Sequence, residues 1–270
     1  MKLKTLITLS LISTLFYFTC NKPVNTTQTA DNSAIGSQLA VNLYKSLTGA
    51  NGGNNAASGS KTPDGLSPNG KGRRINSVLT YTCGATYDTT INYTTPSHDT
   101  TNTYLQHIKY ALSCNGQVVN GYSMLDSVGI TTSSPLALNN ITVIQSYTMK
   151  ALDTTYKLVS MDGSIVNNTS FNTLNPAKTV TEYHKINAYY ALTGYVVDAT
   201  SGTSVITSGT STFTAYQNDY SAVYGTAPST ISYAGTISFI GNNIAQITFT
   251  INGGAAQSYK VNVTTGAIVN

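Results

Sequence analysis

The sequence predicts a mainly β protein: a large curved antiparallel sheet of half-barrel type with one N-terminal helix packed on it. Three observations carry that expectation. From Ile75 onward apolar residues recur at every second position, the period of a half-buried strand. Only one stretch, Ser33 to Thr48, places apolar residues at helical spacing. The strand-like segments are joined by short turn-forming connections, and short connections make neighbouring strands antiparallel. With no helix between strands, a βαβ unit cannot form. About ten strands in one open sheet would curl or split. The alternatives are therefore a sheet wrapped around the helix or a two-layer β-sandwich. The half-barrel is expected because it gives the helix a face to pack on.

Composition agrees with this reading. Charged residues make up 9% of the 270, against roughly 25% in an ordinary soluble domain. Glu182 is the single glutamate, so strong helix formers are scarce and a helical bundle or coiled coil is excluded. Threonine, tyrosine, valine and isoleucine are abundant, which favours strands. A hydrophobic fraction of 40% is too high for a disordered chain. A net charge of +4, scattered along the sequence, does not build the basic surface of a nucleic-acid binder.

The N-terminus reads as an address. Lys2 and Lys4 precede an uncharged, largely apolar run from Leu6 to Phe18. That run is shorter than the about 20 residues that cross a bilayer as a helix, and it fits a secretory signal peptide over residues 1–19. Cys20 follows it directly. This arrangement resembles the lipobox of bacterial lipoproteins, although Phe18-Thr19 replaces the usual small residues. The resemblance implies lipidation of Cys20, with the membrane as partner through that lipid. Asn21 in place of an aspartate implies outer-membrane rather than inner-membrane sorting. Residues 20–32 then form the lipidated Cys and a polar tether.

Residues 33–270 read as a single β-rich domain. In its helix, Ile35, Leu39, Leu43 and Leu47 recur four apart, with Ala40 and Tyr44 widening the stripe. Asp31, Asn32 or Ser33 can cap its start, and Gly49 suits the position after its end. Residues 50–74 are rich in Gly, Asn and Ser, with Pro63 and Pro68, and read as a flexible loop. Strands are expected to end at Cys83 and Cys114 and to run over 141–152, 155–165, 179–197, 204–216, 231–240, 244–251 and 257–263. Gly194 is a candidate kink in the long 179–197 run. Cys83 and Cys114 are the two cysteines left after Cys20. In an exported chain they suggest one disulfide, the alternative being two buried free thiols.

Candidate chemistry is sparse. No GxSxG, HExxH, P-loop or GxGxxG motif occurs. Glu182 and His184 sit two apart on one strand face, as an acid–base pair or as a satisfied cross-strand polar pair. Asp88, His98 and Asp99 lie elsewhere, and three dispersed histidines make neither a metal site nor a cofactor site. Tyr183, Tyr189, Tyr190 and Tyr195 cluster in one strand as a candidate ligand face; tyrosine also simply fills half-buried strand positions. Asp88-Thr89-Thr90, Asp99-Thr100-Thr101, Asp126-Ser127-Val128 and Asp153-Thr154-Thr155 share one pattern. It resembles O-glycosylation acceptor sites of exported proteins in some Gram-negative bacteria, with Thr89, Thr100, Ser127 and Thr154 as acceptors. Asp-Thr and Asp-Ser are equally good turn formers.

Lipobox, tether, the helix ending Leu43-Tyr44-Lys45-Ser46-Leu47-Thr48-Gly49, the Gly/Asn-rich loop and the closing run Tyr259 to Gly266 together resemble β-rich lipoproteins of the Gram-negative cell envelope. The resemblance implies no catalytic residue. The expectation is a non-enzymatic envelope lipoprotein with a binding or structural role toward a glycan, a lipid or another envelope protein, and not toward nucleic acid. Two alternatives stand beside it: a periplasmic lipid or lipoprotein carrier with a hollow half-barrel, and a hydrolase with an unrecognised site.

Overall fold

The computed structural model describes residues 32–51, 53, 55–56, 82–200 and 205–269. The expected signal peptide, Cys20, the tether up to residue 31 and most of the 50–74 loop lie outside the described residues. Ser33–Asn270 is one compact unit.

The helix α1 spans Asn32–Leu47. Of its stripe, Leu39, Ala40, Leu43 and Leu47 lose all solvent contact, while Ile35 and Tyr44 are half-buried at its margins. Gly49 follows it with a φ of 73°, and the Ala50 N–H reaches back to the Lys45 carbonyl at 2.8 Å. This is the left-handed cap expected of glycine at that place.

Eleven strands follow: β1 (Thr86–Ser97), β2 (Thr100–Asn115), β3 (Val118–Ser133), β4 (Ala137–Ala151), β5 (Leu158–Leu174), β6 (Val180–Asp198), β7 (Val205–Ser221), β8 (Thr226–Phe239), β9 (Ile244–Ile251), β10 (Gln257–Asn262) and β11 (Ile268–Val269). They form one antiparallel sheet whose spatial order is the chain order. The sheet is not closed, and it is one layer rather than the two of a sandwich. A sheet of this width with one apolar face must cover that face, and α1 does so.

Inward residues of neighbouring strands line up in rows across the sheet. One row passes through Ile108, Asp126, Gln145, Ile165, Tyr190, Phe213, Gly235 and Phe249. The helix runs along this row, from β9 to β4, and so crosses the strands. Near its start, Gly36 lies against the Phe249 ring, so close that a Cβ would sit 2.7 Å from Phe249 Cε1. Ser37 Oγ donates to the Gly266 carbonyl after β10 at 2.5 Å. In the middle, the Tyr190 hydroxyl donates to the Leu39 carbonyl at 3.1 Å. Near its end, Gln145 Nε2 donates to the Ser46 carbonyl at 2.6 Å, and Asn167 Nδ2 donates to Ser46 Oγ at 3.1 Å. One helix thus holds β4, β5, β6, β9 and the turn after β10, which bends the sheet around it. Tyr122, Met149, Met161, Ile237 and Val261 fill the rows beside it.

Several expected strands are longer than the sequence pattern indicated, and three differences are corrections. β1 lies where no strand was expected. Cys83 lies in the turn before it rather than at a strand end. β11 was not anticipated. The disulfide is nonetheless formed: Cys83 is bonded to Cys114, with Cα atoms 5.7 Å apart. Gly194 does mark an irregularity, at a φ of 62° within a register shift between β6 and β7. The shift moves the inward set from Tyr190 and Leu192 to Tyr195 and Val197.

Truncating the helix stripe tests this packing. Leu43→Ala should lower unfolding free energy by about 2–5 kcal/mol, the range for emptying a large buried site. Denaturant unfolding followed by circular dichroism reads it; a loss below about 0.5 kcal/mol would mean that α1 is not seated on the sheet.

Candidate functional site

The strands outlast the helix. At 14–19 residues, β2 to β8 are about 45–60 Å long, whereas α1 crosses them and lies over only about one helix diameter, 10–12 Å, of that length. Beyond Asn167 and Ala188 the inner face continues without helix contacts among the described residues, and its composition changes. The row through Asn102, Thr132, Asn139, Phe171, His184 and Asp219 is polar with one aromatic, spans β2 to β7, and is half-buried throughout. Here period-two alternation still holds, but the inward positions no longer need apolar side chains, because no helix presses on them.

The centre of this row is a bonded network. His184 Nδ1 meets Asp219 Oδ1 at 2.5 Å across the β6–β7 ladder. Gln217 Nε2 donates to Asp219 Oδ2 at 2.5 Å, and the Tyr233 hydroxyl donates to Gln217 Oε1 at 3.1 Å. The Phe171 ring stacks beside the imidazole, centroids 6.5 Å apart and planes 20° from parallel. One step further out, Ser221 Oγ donates to Glu182 Oε1 at 2.6 Å. Partial burial pushes the Asp219 carboxyl up, but hydrogen bonds from His184 and Gln217 and the electrostatic pull of His184 outweigh it. The result is a carboxyl held below its ordinary range. Burial raises the Tyr233 phenol, and the Asp219 charge adds to that rise.

A second polar cluster lies under the end of α1. Asp126 and Gln145 are completely buried, a costly state for a carboxylate. Gln106 Nε2 donates to both Asp126 oxygens at 3.0 and 3.1 Å, and the Tyr104 hydroxyl donates to Gln106 Oε1 at 2.8 Å. Burial, first, and then the Asp126 charge push the Tyr104 phenol far up. Gly53 lies against this cluster, where a Cβ would meet Gln145 Oε1. The cluster ties helix end, loop and sheet together.

The structure separates residues that the sequence grouped. Tyr183 and Tyr189 face outward; Tyr190 and Tyr195 are completely buried on the inner side. Adjacent strand residues point to opposite faces, so the four tyrosines make no single ligand face. Tyr183 instead packs on Tyr220, with Lys185 Nζ 4.5 Å above its ring. Glu182 and His184 do share a face, yet each is bonded across the ladder to β7, as a polar pair would be. Asp88 is elsewhere, bonded to His107 Nε2 at 2.7 Å on the outer face, and His98 and Asp99 form the exposed β1–β2 turn. Of the four candidate acceptors, Thr154 is exposed in the β4–β5 turn. Thr89 and Thr100 are half-buried on β1 and β2, and Ser127 is half-buried mid-strand in β3. Among the described residues no three His, Cys, Asp or Glu side chains gather as a metal site. Phe171, Gln217 and Asp219 escaped sequence analysis. Their only signal was polar residues continuing on the inward parity after Ala215 and Asn167.

No family model, curated protein or solved structure matches the chain.

The Asp219 contacts have a pH signature. A carboxyl held below its ordinary value stabilises the fold at neutral pH and loses that contribution as pH falls through its folded value. Both partners are more than a third exposed, so the contribution is about 1 kcal/mol. Asp219→Asn should lower the urea midpoint accordingly at pH 7, and the gap to the parent chain should close as pH drops below 3.8. A gap that widens in acid would contradict the assignment.

Proposed function

We propose that the protein is a non-enzymatic lipoprotein of the Gram-negative cell envelope, carried out of the cytosol by residues 1–19 and anchored in the outer membrane through Cys20. The Cys83–Cys114 bridge carries this reading, because such a bond persists in an oxidising compartment. It leaves Cys20, directly after the apolar leader, as the cysteine outside the pair. Two acyl chains or more would hold the domain at the membrane, each buried methylene contributing about 0.8 kcal/mol.

Binding rather than catalysis is supported by how the acids and bases are engaged. Asp88 holds His107, Asp219 holds His184, and Ser221 donates to Glu182 instead of to an imidazole. The half-buried polar row from Asn102 to Asp219 is the face this reading gives to a ligand or partner. The carrier alternative calls for an apolar cavity of several hundred Å³. Against it stands the seating of α1, whose leucines occupy the inner face together with Tyr190, Met149 and Met161.

Metabolic labelling with palmitate tests the anchor. The parent chain should take up label and sediment with outer membranes. Cys20→Ser should lose the label and leave the membrane fraction. Unlabelled parent protein, or label that survives the substitution, would overturn the reading.

A further inference from the structure

The two edges of the sheet are unlike. At one end β11 is two residues long. At the other, β1 offers twelve residues with a continuous register against β2 and no bulge. The devices that usually blunt an edge are missing over Thr86–Thr95: there is no lysine, no arginine and no proline. Pro96 comes only at the end.

The hydrogen-bond parity of this edge follows from one bond. The Leu112 N–H donates to the Ala85 carbonyl at 2.9 Å. In an antiparallel ladder, alternate residues turn their amides to the partner. Tyr87, Thr89, Ile91, Tyr93 and Thr95 therefore turn theirs to β2, and Thr86, Asp88, Thr90, Asn92 and Thr94 turn theirs to the side where no strand of the described residues pairs with β1. Pro96 falls on the same open parity, where its missing N–H costs the β1–β2 ladder nothing.

These five outward residues are symmetric about Thr90. We propose that β1 is a self-association edge: a second copy pairs with it antiparallel about a two-fold axis at Thr90, joining two sheets into one. Thr90 then faces Thr90 of the second copy, Asp88 faces Asn92, and Thr86 faces Thr94. Every outward amide and carbonyl of the five gains a partner. The two Asp88 carboxylates stand four residues apart, roughly 13 Å, beyond a Debye length at physiological salt. On the inner face Tyr87 faces Tyr93 of the second copy, in the close non-hydrogen-bonded pairing that favours aromatic pairs. Two ring ladders reach this edge. Tyr122, Tyr110 and Tyr87 are spaced 6.4 and 4.7 Å, and Tyr104 and Tyr93 are 5.0 Å apart, with Tyr93 49% exposed. The two-fold joins one ladder to the other.

Sedimentation equilibrium of the full chain should give twice the chain mass, and Thr90→Pro should give the single mass with an unchanged circular dichroism spectrum, since the Thr90 amide serves no bond to β2. Thr90→Cys should be joined efficiently by a short bis-maleimide. Thr94→Cys, roughly 27 Å from its own counterpart in this register, should react no more than the parent chain. A parent protein that stays at single mass over the whole loading range overturns the proposal. So does a dimer that survives Thr90→Pro, or equal cross-linking at positions 90 and 94.

Discussion

The fold depends on one mismatch of lengths. A single helix about 10–12 Å wide lies across an inner face whose longer strands run about 45–60 Å. Burial of Leu39, Leu43 and Leu47 against the sheet removes the largest apolar surface the helix has. Where that cover reaches, inward positions are tyrosine, leucine, methionine and isoleucine. Where it stops, they become asparagine, threonine, histidine and aspartate. The boundary between core and polar row is thus set by where α1 crosses the strands rather than by a change of secondary structure.

Hydrophobic burial alone would let the helix slide along so uniform a face. Polar anchors fix it. Ser46 is held through its carbonyl by Gln145 and through its hydroxyl by Asn167, and Ser37 is tied to Gly266 at the opposite end. Buried polar groups of this kind contribute little net energy when satisfied and cost about 1–3 kcal/mol when a partner is lost. They select one seat for the helix. Asp126, held by both contacts from Gln106 close to the same loop, belongs to that seat.

Much of this architecture was legible in the sequence, for physical reasons. The helix, its stripe and its glycine cap follow from local spacing, and β9 follows from alternation between two clear turns. Legibility ended where alternation of apolar and polar residues ended. The outer halves of β5, β7 and β8 are strands without an apolar face, so the pattern fell silent at Ile165, Tyr216 and Ile231 while the ladder ran on. β1 was invisible for a related cause: as an edge strand of threonines it packs against one neighbour only, and Tyr87, Ile91 and Tyr93 make a faint period. The polar row was missed with those segments. Its members become neighbours only through register across six strands, which no local window of sequence contains.

Residue-resolved amide hydrogen exchange tests most directly whether the helix sets the stable core. If it does, amides of α1 and of the strand segments beneath it, around Tyr110, Ile165, Tyr190 and Phe213, should share the slowest exchange and open together in a global event. Amides around Asn139, Phe171, His184 and Asp219 should exchange sooner through local opening. Rapid exchange of α1 while the sheet beneath it stays protected would contradict the account, as would equal protection along the full length of the strands.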